Sequence, residues 1–524
     1  MPPSTTLAAT DVPADAVNRR ARSAVPAYLV GSALFLIVAL VMYRPWESHP
    51  FDILDFSEFL PLLTSNESYV ARVSALVRHY FVEQGRFNAL VYAGLSLKWT
   101  VLGDNPAAWY LARFTIMLGI IGATFALLRR LGASPAAAML ASGLFLVANT
   151  ASVAFTRLTM AEPLGLAFVL VAAHLAVGYQ TSTRWRRDAV VIAIALALAM
   201  LTKEMLAACA PFVLLLATTR RDERFDVPRV DARSIRLVLV TVLACVAASV
   251  PIVLAAVGAS TQSFTASYGT TSLSPAWYLE LVARMLLLQP LLFPGNLLLA
   301  VVLLTGVLCA VSRRAGRETW TKVALAMSLP AVAALLYLPW PKFEHFYGLP
   351  FLLGAAFLLV IALEEIERRW QRGTLLAYTA VLVALVYHAL NATQSARESA
   401  AKRVVNAKVA NILAGDTRGD TIVVASPYQV KQAWQGTGPT LSRYAAATHA
   451  GVTQRPAIDV PCVEGGRRYR FGLGNAVLVT YSDGCGSLPR STHTAREFYT
   501  YIDWATMSLR RDSLRADVLL PATR

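Results

Sequence analysis

Apolar residues in this chain come in long unbroken runs. Ala27–Val41, Ala189–Leu201 and Leu297–Val311 hold no charge at all. Runs of this length need a low-dielectric solvent, and the ~30 Å hydrocarbon core of a bilayer supplies one. The pattern predicts about eleven spans, roughly 27–43, 107–128, 135–154, 161–179, 188–201, 205–219, 235–257, 294–312, 322–339, 348–365 and 374–391. Basic clusters punctuate the runs at Arg19–Arg22, Arg129–Arg130, Arg184–Arg187, Arg220–Arg236, Arg313–Lys322 and Arg368–Arg372. About two spans lie between successive clusters, so the positive-inside rule puts the N-terminus inside and every second loop outside. An odd count puts the C-terminus outside.

Three units follow: a cytoplasmic tail over 1–26, a transmembrane domain over 27–391 with its first external loop at 44–106, and an extracytoplasmic unit over 392–524. The first external loop is long and mixed in charge. Within it, Ser68–Gln84 sets Val70, Val73, Leu76, Val77, Tyr80 and Phe81 against Arg72, Arg78 and His79, an apolar stripe with a charged back. It predicts a helix lying in the membrane plane. Asn88–Leu102 predicts a second, closed by the turn Gly103-Asp104-Asn105-Pro106. In the tail, Ala396–Leu413 reads as a helix and Thr421–Ser426, Arg455–Val460 and Ala476–Tyr481 as strands, which makes the unit a small α/β domain.

Composition supports a membrane chain: of 524 residues, 56% are hydrophobic and 15% charged, against about 25% charged in soluble domains. A net charge of +16 would suggest nucleic acid in a soluble protein. Here the basic residues flank apolar runs, with no ladder of aromatics between them, so no nucleic-acid partner is expected. Arg19, Arg20 and Arg22 precede a first run long enough to stay as an anchor, without the small-residue site of a cleavable signal. Of five cysteines, Cys209, Cys245 and Cys309 lie in apolar runs. Cys462 and Cys485 lie in the tail, where an oxidising compartment would let them pair or leave them as free thiols. No Cys/His spacing suggests zinc, and no metal ligand is assigned.

Four features carry candidate chemistry, all on the outer side under this topology. Asp52, Asp55 and Glu58 stand within seven residues of one another, interleaved with Phe51, Ile53, Leu54, Phe56, Phe59 and Leu60. So apolar a loop packs against something, and crowding and lost solvent raise carboxylate pKa values toward those of a general base. Arg157 and Glu162 flank the outer hairpin between the third and fourth spans, where unpaired charge is costly. Lys203, in Leu201-Thr202-Lys203-Glu204, sits at the next outer turn, placed to neutralise a phosphate. Pro339-Trp340-Pro341-Lys342-Phe343-Glu344-His345-Phe346-Tyr347 offers cations for a phosphate and rings for a sugar. Each feature has a structural reading as well: a solvated loop, an Arg–Glu pair fixing a hairpin, a Lys–carboxylate pair, an interfacial aromatic belt. Together they suit one chemistry, in which a carboxylate deprotonates an acceptor hydroxyl while cations stabilise a departing phosphate.

The arrangement resembles the GT-C superfamily of integral-membrane glycosyltransferases, and is most similar to the branch of protein O-mannosyltransferase-like enzymes and lipid A aminoarabinose transferases. The likeness rests on the acidic first loop with two in-plane helices, the Gly85-Arg86-Phe87-Asn88 turn, the Leu201-Thr202-Lys203 turn and the loop from Lys342 to Pro350. It implies a GT-C-like polytopic fold and transfer of a sugar from a polyprenyl-phosphate donor, outside a bacterial cytoplasmic membrane, to a glycan, lipid or protein acceptor. By that resemblance Asp55 is the first candidate for the base, Asp52 the second and Glu58 a supporting carboxylate. Arg86, Arg157, Glu162, Lys203, Lys342, His345 and Tyr347 would line the substrate site. The carboxylates are spaced differently from the adjacent Asp-Glu pair of the O-mannosyltransferases. The second-loop acidic pair of the oligosaccharyltransferase branch is missing, so no cofactor is indicated, although the chemistry leaves room for a divalent metal. The competing reading is a transporter or flippase of lipid-linked saccharides, which would be expected to show mid-span charges and inverted repeats.

Overall fold

The computed structural model describes residues 31–47, 59–64, 66, 68–83, 86–221, 224–225, 228, 230–258, 293–337, 345–415, 422–425, 458–461, 467–471, 477–480, 493–503 and 505–519. Every expected span has a helix. The first is α1 (Gly31–Tyr43). The external loop that follows holds a short α2 (Phe59–Thr64) and the two expected in-plane helices, α3 (Tyr69–Glu83) and α4 (Ala89–Leu102). Then come α5 (Pro106–Arg130), α6 (Pro135–Val147), α7 (Asn149–Thr156), α8 (Glu162–Val177), α9 (Trp185–Thr202), a 3-10 turn (Glu204–Ala208) leading into α10 (Cys209–Thr219), and α11 (Ala232–Gly258). The last are α12 (Pro294–Ser312), α13 (Arg317–Tyr337), a 3-10 turn (His345–Phe351), α14 (Leu352–Arg369) and α15 (Gln371–Gly415).

Among the described residues, five helices are long and apolar enough to cross a membrane by themselves, or six when α6 and α7 are taken as one span bent by 56°. The break falls at Ala148, whose extended backbone serves as C-cap of one helix and N-cap of the next. The remaining apolar helices are shorter. Outward-facing apolar stripes mark the lipid side, such as Leu34, Ile37 and Val41 on α1 and Leu297, Val301, Leu304 and Leu308 on α12. Facing water they would form a very large apolar patch, and facing acyl chains they are solvated. The protein is thus a polytopic α-helical membrane protein.

Inside the bundle, packing depends on small residues, because lipid offers no hydrophobic drive between helices. α14 is almost wholly buried. At Gly306 of α12 a Cβ would come within 2.5 Å of the Ala362 Cα, so only glycine admits α14 this closely. Buried Glu365 at the inner end of α14 accepts from Thr319 Oγ1 (3.1 Å), Arg313 (3.3 Å) and Arg368 (2.9 Å), tying α12, α13 and α14 together on the side the basic clusters assign to the cytoplasm. A two-residue ladder, β1 (Arg220–Arg221) with β2 (Arg224–Phe225), also lies on that side.

The tail differs from the expected layout first in its helix. The helix expected over 396–413 is not separate: α15 runs without a break through the boundary drawn at 391/392. Beyond it lies a six-stranded sheet of β3 (Ile422–Ala425), β4 (Ile458–Pro461), β5 (Arg467–Phe471), β6 (Val477–Thr480), β7 (His493–Asp503) and β8 (Ser508–Leu519), in the order β4-β5-β6-β3-β8-β7. Three of these strands coincide with the predicted runs. The β7–β8 hairpin was not predicted, because its charges obscure the alternation. β7 lies along the C-terminal half of α15, pinned by Lys408 Nζ to Glu497 (2.6 Å). Cys462 and Cys485 lie outside the described residues.

Candidate active site

The acidic loop is fixed on both sides. α1 is followed by Arg44, whose φ of +39° turns the chain sharply. Arg44 Nη1 pairs with Glu47 at 2.8 Å, and Arg397 of α15 reaches the same carboxylate at 3.5 Å while its Nη2 donates to the Val41 carbonyl at 2.9 Å. After the loop, α2 buries Leu60 and Leu63, and Phe59 stacks on Tyr80 at 5.2 Å, which in turn stacks on Tyr92 at 4.9 Å. That aromatic column joins α2, α3 and α4. Arg72, buried on α3, donates to Thr100 Oγ1 on α4 at 3.1 Å. Asp52, Asp55 and Glu58 themselves lie outside the described residues, as does Lys342.

Of the other predicted site residues, three come together. Arg157 is the C-cap of α7, Glu162 opens α8 and Lys203 is the C-cap of α9. Glu162 is 4% exposed and Lys203 9%. The Glu162 carboxylate interacts first with Lys203, then with Glu204 and Arg157. Three helix ends therefore bring two cations and two carboxylates near one another, Glu162 and Lys203 buried, Arg157 and Glu204 half-buried. A Cβ on Gly165 would overlap Leu206, so glycine there lets the turn after Lys203 sit against α8. His345 and Tyr347 lie on the turn His345–Phe351, which packs against α7 and α8. Arg86 lies at the turn from α3 to α4, half-buried, its backbone N–H donating to the Tyr80 carbonyl at 3.0 Å.

Two cations that the sequence reading missed belong to the same region. Arg113 of α5 is 2% exposed and its Nη2 donates to the carbonyls of Leu158 (2.5 Å) and Met160 (3.0 Å). It shapes the turn that carries Arg157 and Glu162. The available signal was a single charge inside the apolar run of the second span. Lys98 on α4 lies 5.6 Å from the Trp109 ring centroid. Burial, with the nearby Arg113 charge added, pulls its ammonium down to about 7. Among the described residues no group of three or more His, Cys, Asp or Glu could hold a metal ion.

Residues 88–264 match the family model of dolichyl-phosphate-mannose-protein mannosyltransferase, a stretch running from the start of α4 through α11. Among solved structures, ArnT from Cupriavidus metallidurans in the apo state is similar at 15% identity over 80% of this chain and 85% of that chain, with a TM-score of 0.49. The same protein bound to undecaprenyl phosphate is similar at 15% identity, over 92% of this chain and 97% of that chain, TM-score 0.45. The arabinofuranosyltransferase AftD from Mycobacteria is similar at 14% identity over 76% of this chain but 29% of its own, TM-score 0.44. No curated protein matches by sequence. The family match, over about a third of the chain, falls on α4 and on the helices that carry Arg157, Glu162 and Lys203, and it agrees with the expected likeness to the GT-C superfamily of membrane glycosyltransferases.

Proposed function

We propose that the chain moves a sugar from a polyprenyl-phosphate donor to an acceptor hydroxyl on the outer side of the bacterial cytoplasmic membrane, with its N-terminus inside and its C-terminus outside. The observation that carries this reading is the approach of half-buried Arg157 to buried Glu162 and Lys203 at one end of the bundle, within the segment that matches the mannosyltransferase family. Buried cations of this kind suit a phosphate leaving group, because a water-poor site strengthens their pull on developing charge. Lys203 and Arg157 neutralise the phosphate, with Glu162 holding Lys203 in place. Lys342, His345 and Arg86 add cations, and the Tyr347 ring meets the sugar.

Asp55 is the general base, Asp52 its alternate and Glu58 their neighbour. The base takes the proton of the acceptor hydroxyl. The hydroxyl oxygen bonds to the anomeric carbon, the bond from that carbon to the phosphate oxygen breaks, and polyprenyl phosphate leaves with the electron pair. ArnT, crystallised with undecaprenyl phosphate, supports a donor of that class.

The test uses purified wild type and Asp55→Asn in nanodiscs, incubated with a panel of polyprenyl-phosphate sugars and a native envelope extract. Free polyprenyl phosphate is read by mass spectrometry. Sugar-dependent release by wild type, abolished in a folded Asp55→Asn, is the expected result. Release that survives the substitution would move the base to Asp52. Transbilayer movement of an intact lipid-linked sugar, with no release from any donor, would replace enzyme with flippase.

A further inference from the structure

Two neighbouring cavities share lining residues where the ends of α1, α5 and α7 and the flank of α15 approach strand β7. The inner one, of about 20 Å³, is lined by Tyr43, Tyr110, Phe155 and Arg403; the outer one, of about 340 Å³, lies between α15 and β7 and includes Arg397 and Arg511. Arg44 and Glu47 line both. At the floor of the inner cavity sits Arg403, only 4% exposed. Its guanidinium lies 4.8 Å from the Tyr110 ring centroid, and its Nε and Nη1 have no acceptor among the described residues. A guanidinium keeps its charge at any ordinary pH, and a buried charge is costly unless paired and hydrogen-bonded.

The carboxylates of these cavities are already engaged. Glu47 pairs with Arg44 and Arg397, and Glu497 with Lys408. Four arginines, Arg44, Arg397, Arg403 and Arg511, thus face two glutamates, Glu47 and Glu497. The excess is positive, and the least solvated part of it has two unpartnered nitrogens, Nε and Nη1, to offer.

We propose that Arg403 is the floor of an oxyanion subsite that takes a phosphoryl group entering from under β7. A water needs roughly 10–15 Å³ of such volume, so the inner cavity admits one phosphoryl oxygen while the rest of the group occupies the outer cavity. Tyr110 backs the guanidinium as a cation–π partner and leaves its N–H groups for the ligand. Arg44 opens the first loop and Arg397 grips it, so an anion held here lies beside the residues that lead to Asp52 and Asp55. The subsite deepens the glycosyl-transfer reading and rests on it for its role. The phosphoryl group is either that of the polyprenyl-phosphate donor or one carried by the acceptor.

Binding of inorganic phosphate and of undecaprenyl phosphate would be measured by microscale thermophoresis on the full chain in neutral-lipid nanodiscs, for wild type, Arg403→Gln and Arg403→Lys. Undecaprenol serves as the uncharged control. Wild type is expected to bind inorganic phosphate, Arg403→Gln to lose at least about tenfold in affinity, the scale of one charge-assisted hydrogen bond, and Arg403→Lys to keep most of it. Equal weakening of undecaprenyl phosphate would assign the subsite to the donor; unchanged undecaprenyl phosphate binding would assign it to a phosphorylated acceptor. Inorganic phosphate binding that is absent in wild type, or as tight in folded Arg403→Gln, overturns the proposal. Phosphate binding that depends on Arg403 without any donor cleavage would instead sink the glycosyl-transfer reading and leave the subsite standing.

Discussion

Lys203 is the residue on which the proposed chemistry depends most among those with a described side chain. It caps α9, is nearly buried, and faces Glu162. Removing a single stabiliser of developing charge typically slows an enzyme about 10²–10³-fold. Lys203→Ala should therefore lower kcat by roughly that factor in the donor-release assay, with the thermal midpoint little changed if α9 keeps its cap. A loss of folding with no catalytic effect in the surviving fraction would reduce Lys203 to a structural pair. Lys98 gives a pH-dependent test. Its folded-state pKa, about 7, lies below its ordinary value, so between the two the unfolded chain binds a proton that the folded one does not. Stability then rises as pH increases from about 7 toward the ordinary lysine range. The midpoint of thermal unfolding in detergent should climb from pH 7 to 9, and Lys98→Met should flatten the climb. An identical slope in the variant would remove Lys98 as its source. Arg157, Glu162 and Lys203 could be read from sequence because a charge at the end of an apolar run has few inexpensive explanations. Arg113, Lys98 and Arg403 could not be assigned that way. Their partners, the Leu158 and Met160 carbonyls, the Trp109 ring and the Tyr110 ring, are set by how the helices fold together and not by local periodicity.

At the scale of elements, hydropathy located the spans and the amphipathic stripe located α3, since both are local signals. The α6–α7 bend and the continuity of α15 are tertiary outcomes, set by what each segment packs against, and neither leaves a periodic trace. Small-residue contacts are equally silent in sequence until the facing helix is known. Gly306 is such a contact: its facing atoms are the Cα, Cβ and carbonyl oxygen of Ala362, and backbone cannot step aside as a flexible side chain can. Gly306→Val should push α12 from α14 and cost about 1–3 kcal/mol, the usual scale of overpacking. Gly119, which has open space around its Cβ direction, is the control position for the same substitution. Thermal unfolding in detergent should show the first variant well below wild type and the second close to it. Equal midpoints would mean the α12–α14 crossing is more compliant than its geometry implies.

For the whole molecule, orientation decides whether the chemistry is possible at all, because the acidic loop, the Arg157–Glu162–Lys203 cluster and the Arg403 cavity must share a compartment with the donor's sugar. The cluster lies at the ends of α7, α8 and α9 opposite Arg129, Arg130 and Arg187, and the positive-inside rule assigns those arginines to the cytoplasm. α15 then carries the sheet to the outer side. A membrane-impermeant maleimide tests this in intact spheroplasts of a strain carrying a cysteine-free chain, so that the native tail cysteines do not report. Met507, at the exposed turn between β7 and β8, replaced by Cys should label without permeabilisation. Arg187, whose side chain is 61% exposed, replaced by Cys should label only after the membrane is opened. The reverse pattern would put the buried Lys203 and Glu162 on the cytoplasmic side, away from an extracytoplasmic lipid-linked donor. It would also turn the basic clusters outward against the positive-inside rule, so the proposed reaction and the orientation would fail together, while the odd span count would stand.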